Sequence, residues 1–231
     1  MSPTETGLLI LAGVLALAIA AYVAQMVENQ RQARRLRLMA LKESIRRAAY
    51  LLDSLPVQFQ TAEIRQVLGA TLNHFWDELL KLERKAEYLQ QKEALQQQLA
   101  QSPEPVPYSA DSLTLMPDKD SARRARAILR ELAQFIKQQH EKGQLSVQTA
   151  SLTLRQVKSG YHRVSCDLSI MDARDIESGR GPQVAVHQYR SCLSKLRALR
   201  GQPHIERQQQ NLQAHLAQVE QLLDQTAKDG D

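Results

Sequence analysis

The sequence predicts an all-α protein, with one N-terminal transmembrane helix followed by a cytosolic helical bundle that contains coiled-coil-like antiparallel hairpins. Three observations support this prediction. A long apolar stretch stands near the N-terminus of the 231-residue chain, and apolar residues recur at steps of three and four through the remainder. No segment has the strict alternation of apolar and polar residues that is typical of a half-buried strand.

The first element is the apolar stretch at residues 7–27, which follows a short N-terminus at 1–6 that we expect to be non-cytoplasmic. No Asp, Glu, Lys or Arg lies between Glu5 and Glu28, and about 20 apolar residues suffice to cross a bilayer. A cleaved signal peptide is the alternative, because small-x-small patterns occur within 16–20. A signal peptide carries positive charge before its apolar core, whereas only a negative charge precedes this one. We therefore interpret the stretch as a retained anchor.

A basic amphipathic helix is predicted next, at residues 28–52. It holds seven Lys and Arg residues against two Glu, a net charge of +5, which equals that of the whole chain. Basic residues beside a span stay on the cytoplasmic side, and they also attract anionic lipid; both roles are left open. The residues expected to set topology or contact lipid are Arg31, Arg34, Arg35, Arg37, Lys42, Arg46 and Arg47. The apolar stripe from Leu38 to Leu52 could lie on the membrane, but we favour packing against the chain.

Prolines and glycines divide the remaining chain. The predicted parts are a helical or coiled-coil segment at 57–101, a Pro-rich linker at 102–118, a helical bundle at 119–227 and a flexible tail at 228–231. The linker prediction rests on Pro103, Pro105 and Pro107, since each proline biases the residue before it away from helix. Helix ends are expected at Gly143, Gly179 and Gly201.

The apolar spacing predicts which helix faces are buried. In the first segment, a single helical stripe runs through Leu68, Leu72, Phe75, Leu79, Leu82, Ala86 and Leu89. In the bundle, the expected buried residues are Leu154, Val157, Tyr161, Val164 and Leu168. Arg155, Ser159, His162 and Cys166 are expected to face solvent. Trp76, the only tryptophan, is predicted to widen a buried face, and it is also the candidate contact for a protein partner.

No reaction is predicted, and we expect neither catalytic nor cofactor-binding residues. The sequence lacks a phosphate-binding loop and the H-E-x-x-H, C-x-x-C and G-x-S-x-G motifs. One constellation deserves consideration as a zinc site: His162, Cys166, His187 and Cys192. Its spacing does not direct the four side chains to one point, as a tetrahedral site requires. The expectation is therefore no metal and two reduced thiols.

The charge distribution bears on the choice of partner. Two basic groups are candidates for nucleic-acid contact: Arg123, Arg124, Arg126 and Arg130, and Arg190, Lys195, Arg197 and Arg200. After residue 52 the chain holds 23 basic and 22 acidic residues, whereas a nucleic-acid-binding domain normally carries a clear basic excess. The predicted function is a membrane-anchored adaptor or scaffold that binds a protein partner or self-associates at the cytoplasmic face of the cell inner membrane. The alternative is a membrane-tethered nucleic-acid-binding or regulatory protein.

Overall fold

The structure is a computed structural model that describes residues 3–101, 103–104, 107–199 and 204–229, except for the side chains of 3–14, 16, 18, 20 and 226–229. The described part contains no strand, which confirms the all-α fold class. Its α-helices are α1 (Pro3–Ser54), α2 (Ala62–Leu82), α3 (Ala86–Ala100), α4 (Lys119–Glu141), α5 (Val147–Arg180), α6 (Pro182–Ala198) and α7 (Ile205–Asp229). A short 3-10 helix, Val57–Phe59, connects α1 to α2.

The chain forms two compact units. Unit 1 comprises residues 1–47 and 72–94, and unit 2 comprises residues 48–71 and 95–231. The boundaries fall within α1, α2 and α3, so each of these helices contributes residues to both units. The sequence separates an anchor at 7–27 from a juxtamembrane helix at 28–52, whereas the described backbone runs through both as one helix.

Among the residues that the structure describes, no helix combines the length and the apolar character needed to cross a membrane. The transmembrane part of the fold prediction is therefore unsupported. Most side chains of the predicted span at 7–27 lie outside the described residues.

In unit 1, α2 packs antiparallel to α1 and α3 folds back along α2. Arg37 pairs with Glu78 across α1 and α2 at 2.8 Å, and Lys92 pairs with Asp77 across α2 and α3 at 2.6 Å. The single helical stripe predicted from Leu68 to Leu89 is wrong, because α2 ends at Leu82 and α3 begins at Ala86.

Neither glycine nor proline marks the turn between α2 and α3. The turn instead follows from packing, since it brings Tyr88 against Trp76 with ring centroids 6.1 Å apart. Both side chains are buried, 8% and 7% exposed respectively. Covering a large indole is favourable by an amount that grows with the apolar area removed from water, and the polar residues 83–85 can turn without burying a charge.

In unit 2, α4 to α7 form successive antiparallel pairs. Lys119 at the start of α4 reaches Asp172 late in α5, and Arg190 of α6 pairs with Glu220 of α7 at 2.7 Å. Polar caps set two helix starts: the Asp118 carboxylate accepts from the Ser121 N–H at 2.8 Å, and the Ser146 hydroxyl accepts from the Thr149 N–H at 3.1 Å.

The α5–α6 connection is a single residue. Gly181 has φ of +92°, a conformation that a side chain would strain, and Pro182 then begins α6 in the position that suits proline. The helix end predicted at Gly179 is therefore two residues early. Gly143 has φ of +72° and lies just beyond the end of α4, as the predicted helix end requires. Gly201 lies outside the described residues.

The buried face of α5 is largely as the spacing predicts. Val157, Val164 and Leu168 are buried, whereas Leu154 and Tyr161 are only half-buried. Cys166 is a correction, because it is 4% exposed although the sequence places it toward solvent. It belongs to the core that α5 shares with α6 and α7, so α5 buries a wider face than a narrow heptad seam.

The apolar stripe of α1 also packs against the chain. Ile45, Ala48 and Leu52 are buried, and Leu38 and Leu41 are half-buried. This agrees with the packing interpretation of the stripe that the sequence analysis favours.

Two Val→Asp substitutions in α5 test this packing. Val164→Asp places a carboxylate at a fully buried position and should lower the free energy of unfolding by more than about 2 kcal/mol. Val147→Asp is the matched control, because Val147 is 70% exposed and begins the helix; its effect should stay within about 0.5 kcal/mol. Urea denaturation followed by circular dichroism measures both, and equal losses would contradict the packing.

Candidate membrane-surface site

The basic residues of α1 fall into two groups by their contacts in unit 1. Arg31 and Arg35 are exposed and form no ion pair with another described residue. Arg34 and Arg37 both contact the C-terminal part of α2. The predicted set therefore includes groups that hold the fold as well as groups that are open to a ligand.

Arg34 supports the end of α2. Its Nη2 donates a hydrogen bond to the carbonyl oxygen of Leu82, the last residue of α2. The last carbonyls of a helix lack partners within the helix and lie at the negative end of its dipole. A guanidinium therefore satisfies a group there that would otherwise depend on water.

One α2 carboxylate joins α1 to α2. Glu78 accepts from Arg37 and from Lys81, both at 2.8 Å. The hydrogen bond and charge of Lys81, with a smaller contribution from Arg37, hold the pKa of Glu78 below its ordinary value. Because Arg37 and Lys81 are exposed, each pair contributes little to stability. The Arg37–Glu78 pair nevertheless identifies the register between the two helices.

The remaining basic residues of the predicted set also have partners. Lys42 lies 5.4 Å from the centroid of the Tyr88 ring, and Arg46 pairs with Glu43 at 2.7 Å. Arg47 is half-buried. Lys42 and Arg46 thus have contacts within the fold, and the role of all three residues at a lipid surface stays a prediction.

Trp76 is the other candidate site residue. Its side chain is 7% exposed and packs against Tyr88, in agreement with a role in the buried face of α2. Because so little of the indole is exposed, Trp76 offers only a small area to a partner. Contact with a partner through Trp76 therefore stays a prediction without structural support.

A buried polar cluster in unit 2, not anticipated from the sequence, joins the linker to the bundle. The carboxylate of Asp167, on α5, accepts hydrogen bonds from the backbone N–H groups of Leu115 and Met116, both at 3.0 Å. Asp167 has no exposed surface. It therefore supplies an acceptor to two linker donors that would otherwise be costly to bury.

Gln208 of α7 completes this cluster. Its Nε2 donates to the Asp167 Oδ1 at 2.6 Å and to the Leu113 carbonyl at 3.0 Å, and its Oε1 accepts from the Nε of buried Arg163 at 3.1 Å. Removal from water raises the pKa of Asp167 to about 6, against the opposing effects of the Gln208 hydrogen bond and the nearby charge of Arg163. The cluster contains groups of both charges, as buried ionisable groups require.

Other linker residues contact α7 and the residue just before it. Asn211 Nδ2 donates to the carbonyls of Ala110 and Ser112 at 2.7 and 2.8 Å, and the Tyr108 ring stacks on His204 at 5.3 Å. The described residues of the predicted linker thus form no helix, but from Tyr108 onward the linker is bound to the bundle. Residues 102, 105 and 106 of it lie outside the described part.

The four residues considered for zinc do not come together. Cys166 and Cys192 are buried free thiols, whereas His162 and His187 are exposed. Burial raises the pKa of Cys166 to about 12 and also raises that of Cys192, so both favour the neutral thiol. Among the described residues, no cluster of three or more His, Cys, Asp or Glu side chains could hold a metal ion.

The two candidate nucleic-acid groups are partly paired within the chain. Arg123 pairs with Asp120 at 3.1 Å, and Arg130 donates to the Tyr161 hydroxyl at 3.2 Å. Arg190 donates two hydrogen bonds to Glu220. These partners lower the positive charge that each group presents, and Arg200 lies outside the described residues.

Unit 2 also has an apolar groove of about 540 Å³. It lies between the end of α1 and the first turns of α4, with Pro56, Met116 and Ile128 among its apolar lining and Arg124 among its polar lining. Tyr50 also lines it and is 51% exposed. An exposed aromatic ring beside an apolar groove is typical of a surface that binds another protein.

Comparison with known proteins adds no relationship. No protein-family model matches the chain, and neither the curated proteins nor the solved structures gave a match.

The buried carboxyl of Asp167 predicts a pH effect on stability. Because its folded pKa is near 6 and its ordinary value is 3.8, the folded protein binds this proton more tightly than the unfolded chain does. Its contribution to the free energy of unfolding therefore grows as pH falls from 7 toward 4.

Asp167→Asn tests this effect, because the asparagine side chain does not titrate in this pH range. Its NH2 group would also face one of the N–H donors that the Asp167 carboxylate now accepts from. The loss at pH 7 should be about 1–3 kcal/mol, and the gap between wild type and variant should widen at pH 5. Asp224→Asn, at an exposed position, is the control and should show no such widening. A gap that narrows in acid, measured by urea denaturation, would contradict the raised pKa.

Proposed function

We propose that this protein is a membrane-anchored helical adaptor or scaffold that holds a protein partner, or a second copy of itself, at the cytoplasmic face of the cell inner membrane. Residues 7–27 form its single span, and the chain from residue 28 onward is cytoplasmic. The observation that carries the proposal is the exposure of the described large hydrophobic side chains of this stretch. They are 41–73% exposed, and they are Leu15, Leu17, Ile19, Tyr22, Val23, Met26 and Val27.

A lipid environment accounts for this exposure better than water does. Contiguous apolar surface is rare on proteins that contact only water, and here it lies on a helix without Asp, Glu, Lys or Arg between Glu5 and Glu28. The basic residues that follow, beginning at Arg31, favour a cytoplasmic location for everything after the span.

The continuity of α1 limits which basic residues can reach lipid. At about 1.5 Å of rise per residue, Arg31 and Arg35 lie about 6 and 12 Å beyond Val27 along the helix. Lys42 and Arg46 lie about 22 and 28 Å beyond it. They are therefore more than a Debye length, about 8 Å at physiological salt, outside the headgroup layer, which adds about 5–8 Å to the hydrocarbon. Arg31 and Arg35 lie within that length of the layer. The lipid role therefore belongs to the first residues of the set, and the later ones act in the fold.

The adaptor role is supported by the kind of surface that unit 2 presents. Its buried polar cluster joins the linker to the bundle, and an apolar groove lies open beside Tyr50. An apolar helix face of a partner, or of a second copy, would cover this groove and the Tyr50 ring.

The anchor predicts membrane extraction behaviour. Leu15→Arg with Leu17→Arg places two charges within the span, at about 2.5–3.5 kcal/mol each near its centre, and should move the protein from the carbonate-resistant membrane fraction to the soluble fraction. The matched control is Leu152→Arg with Leu222→Arg, two exposed leucines elsewhere, which should leave the protein in the membrane.

Two further readouts test retention and topology. A mature N-terminus at Ile19 or Ala21 would show that the stretch is a cleaved signal. A reporter fused after Asp231 that is active only outside the cytoplasm would show the reverse orientation.

The groove predicts the effect of a second pair of variants. Ala127→Arg places a charge beside the groove that Ala127 lines and should abolish crosslinks to the partner or second copy in isolated membranes. Ala217→Arg, at an exposed position of α7, should retain them. Crosslinks that persist in Ala127→Arg, with helix content unchanged by circular dichroism, would place the partner elsewhere.

A further inference from the structure

The contacts between α1 and α2 show which residue of α1 lies beside the α2–α3 turn (residues 83–85). Glu78 of α2 pairs with Arg37, and Leu82, one turn later, accepts from Arg34. Because α2 runs antiparallel to α1, the turn that follows Leu82 lies level with about Arg31. This register is internal to unit 1, so it depends on no other part of the chain.

That level is close to the end of the apolar stretch. Arg31 is four residues beyond Val27, which corresponds to about 6 Å along a helix. The polar headgroup layer adds about 5–8 Å on each side of the hydrocarbon. If Val27 ends the span, as the proposed function requires, the turn lies at the depth of the headgroups.

The turn carries positive charge that is available at this depth. Arg84 is exposed and forms no ion pair with another described residue. Its neighbours Lys81 and Lys85 are exposed as well, and each pairs with one glutamate, Glu78 and Glu83 respectively. Together with Arg31 and Arg35 on α1, Arg84 gives three exposed arginines on two separate elements at nearly the same level.

We propose that the α2–α3 turn is a second membrane contact, in which Arg84 binds the phosphate groups of anionic lipids beside those bound by Arg31 and Arg35. The partner is the anionic leaflet surface, because arginine pairs with phosphate through several N–H donors and basic residues near such a surface are attracted to it. Contact at two elements, rather than at α1 alone, restrains the rotation of unit 1 about the axis of α1. This inference rests on the proposed membrane anchor.

The test uses the full chain in vesicles and two single cysteine variants of α3. Ala86→Cys lies directly after the turn, and Ala94→Cys lies eight residues further along the same helix, about 12 Å away; both positions are exposed and within unit 1. The native cysteines are buried, so a maleimide fluorophore labels the introduced position. Quenching by a spin label attached to lipid headgroups then reports proximity to the membrane surface.

In vesicles that contain phosphatidylglycerol, quenching at position 86 should exceed quenching at position 94 at least about twofold, because position 94 lies about 12 Å further along α3 from the surface and quenching falls steeply with distance. Added salt, or the replacement of phosphatidylglycerol by phosphatidylcholine, should reduce quenching at position 86. Arg84→Gln should reduce it similarly, whereas Arg46→Gln, the same substitution far from the surface, should not.

The outcomes separate the anchor from the turn. Release of the chain by carbonate would overturn the anchor and the lipid contact together. Retention of the chain, with quenching at position 86 equal to that at 94, would overturn the lipid contact alone. So would quenching at position 86 that Arg84→Gln and salt leave unchanged.

Discussion

The buried carboxylate of Asp167 is the contact on which the order of unit 2 depends. It accepts two backbone N–H groups of the linker, at Leu115 and Met116, and one amide N–H of Gln208 from α7. The linker makes some hydrogen bonds of its own, such as that from the Ser112 N–H to the Ser109 carbonyl at 3.2 Å. The N–H groups of Leu115 and Met116 instead take their acceptor from α5, as buried backbone donors require. One side chain of α5 thereby fixes the segment that leads into α4 and also the position of α7 beside it.

The free-energy cost of burying the Asp167 carboxylate explains why Arg163 and Gln208 lie beside it. A buried carboxylate is unfavourable without compensation, and its raised pKa reflects that desolvation. Arg163 supplies the opposite charge one turn earlier on α5, and Gln208 links the two side chains by donating to one and accepting from the other. Removing any one member would leave a buried polar group unsatisfied, so the cluster acts as a unit.

Unit 1 uses its polar groups differently. The contacts of Arg34 and Arg37 with the end of α2 are exposed and individually weak, but they set the level of the α2–α3 turn relative to the apolar stretch. Basic residues that the sequence assigns to lipid thus have two roles. Arg34 and Arg37 position α2, while Arg31 and Arg35 remain open to a membrane surface.

Helix content and several helix ends follow from local sequence. Asp118 and Ser146 cap α4 and α5, Gly143 ends α4, and the spacing of Val157, Val164 and Leu168 identifies a buried face. These features depend on residues within a turn or two of one another, so the sequence by itself determined them. The apolar stretch and the basic run are equally local, and they carry the membrane proposal without any tertiary contact.

Tertiary structure decided the features that depend on distant partners. The turn at residues 83–85 has no glycine or proline and forms because Tyr88 covers Trp76. The burial of Asp167 depends on donors about fifty residues away in the chain, although its position directly beside Leu168 on the seam was a signal in the sequence. A charged residue on a helix is ordinarily solvated, and only the approach of a linker with unsatisfied backbone groups makes its burial favourable.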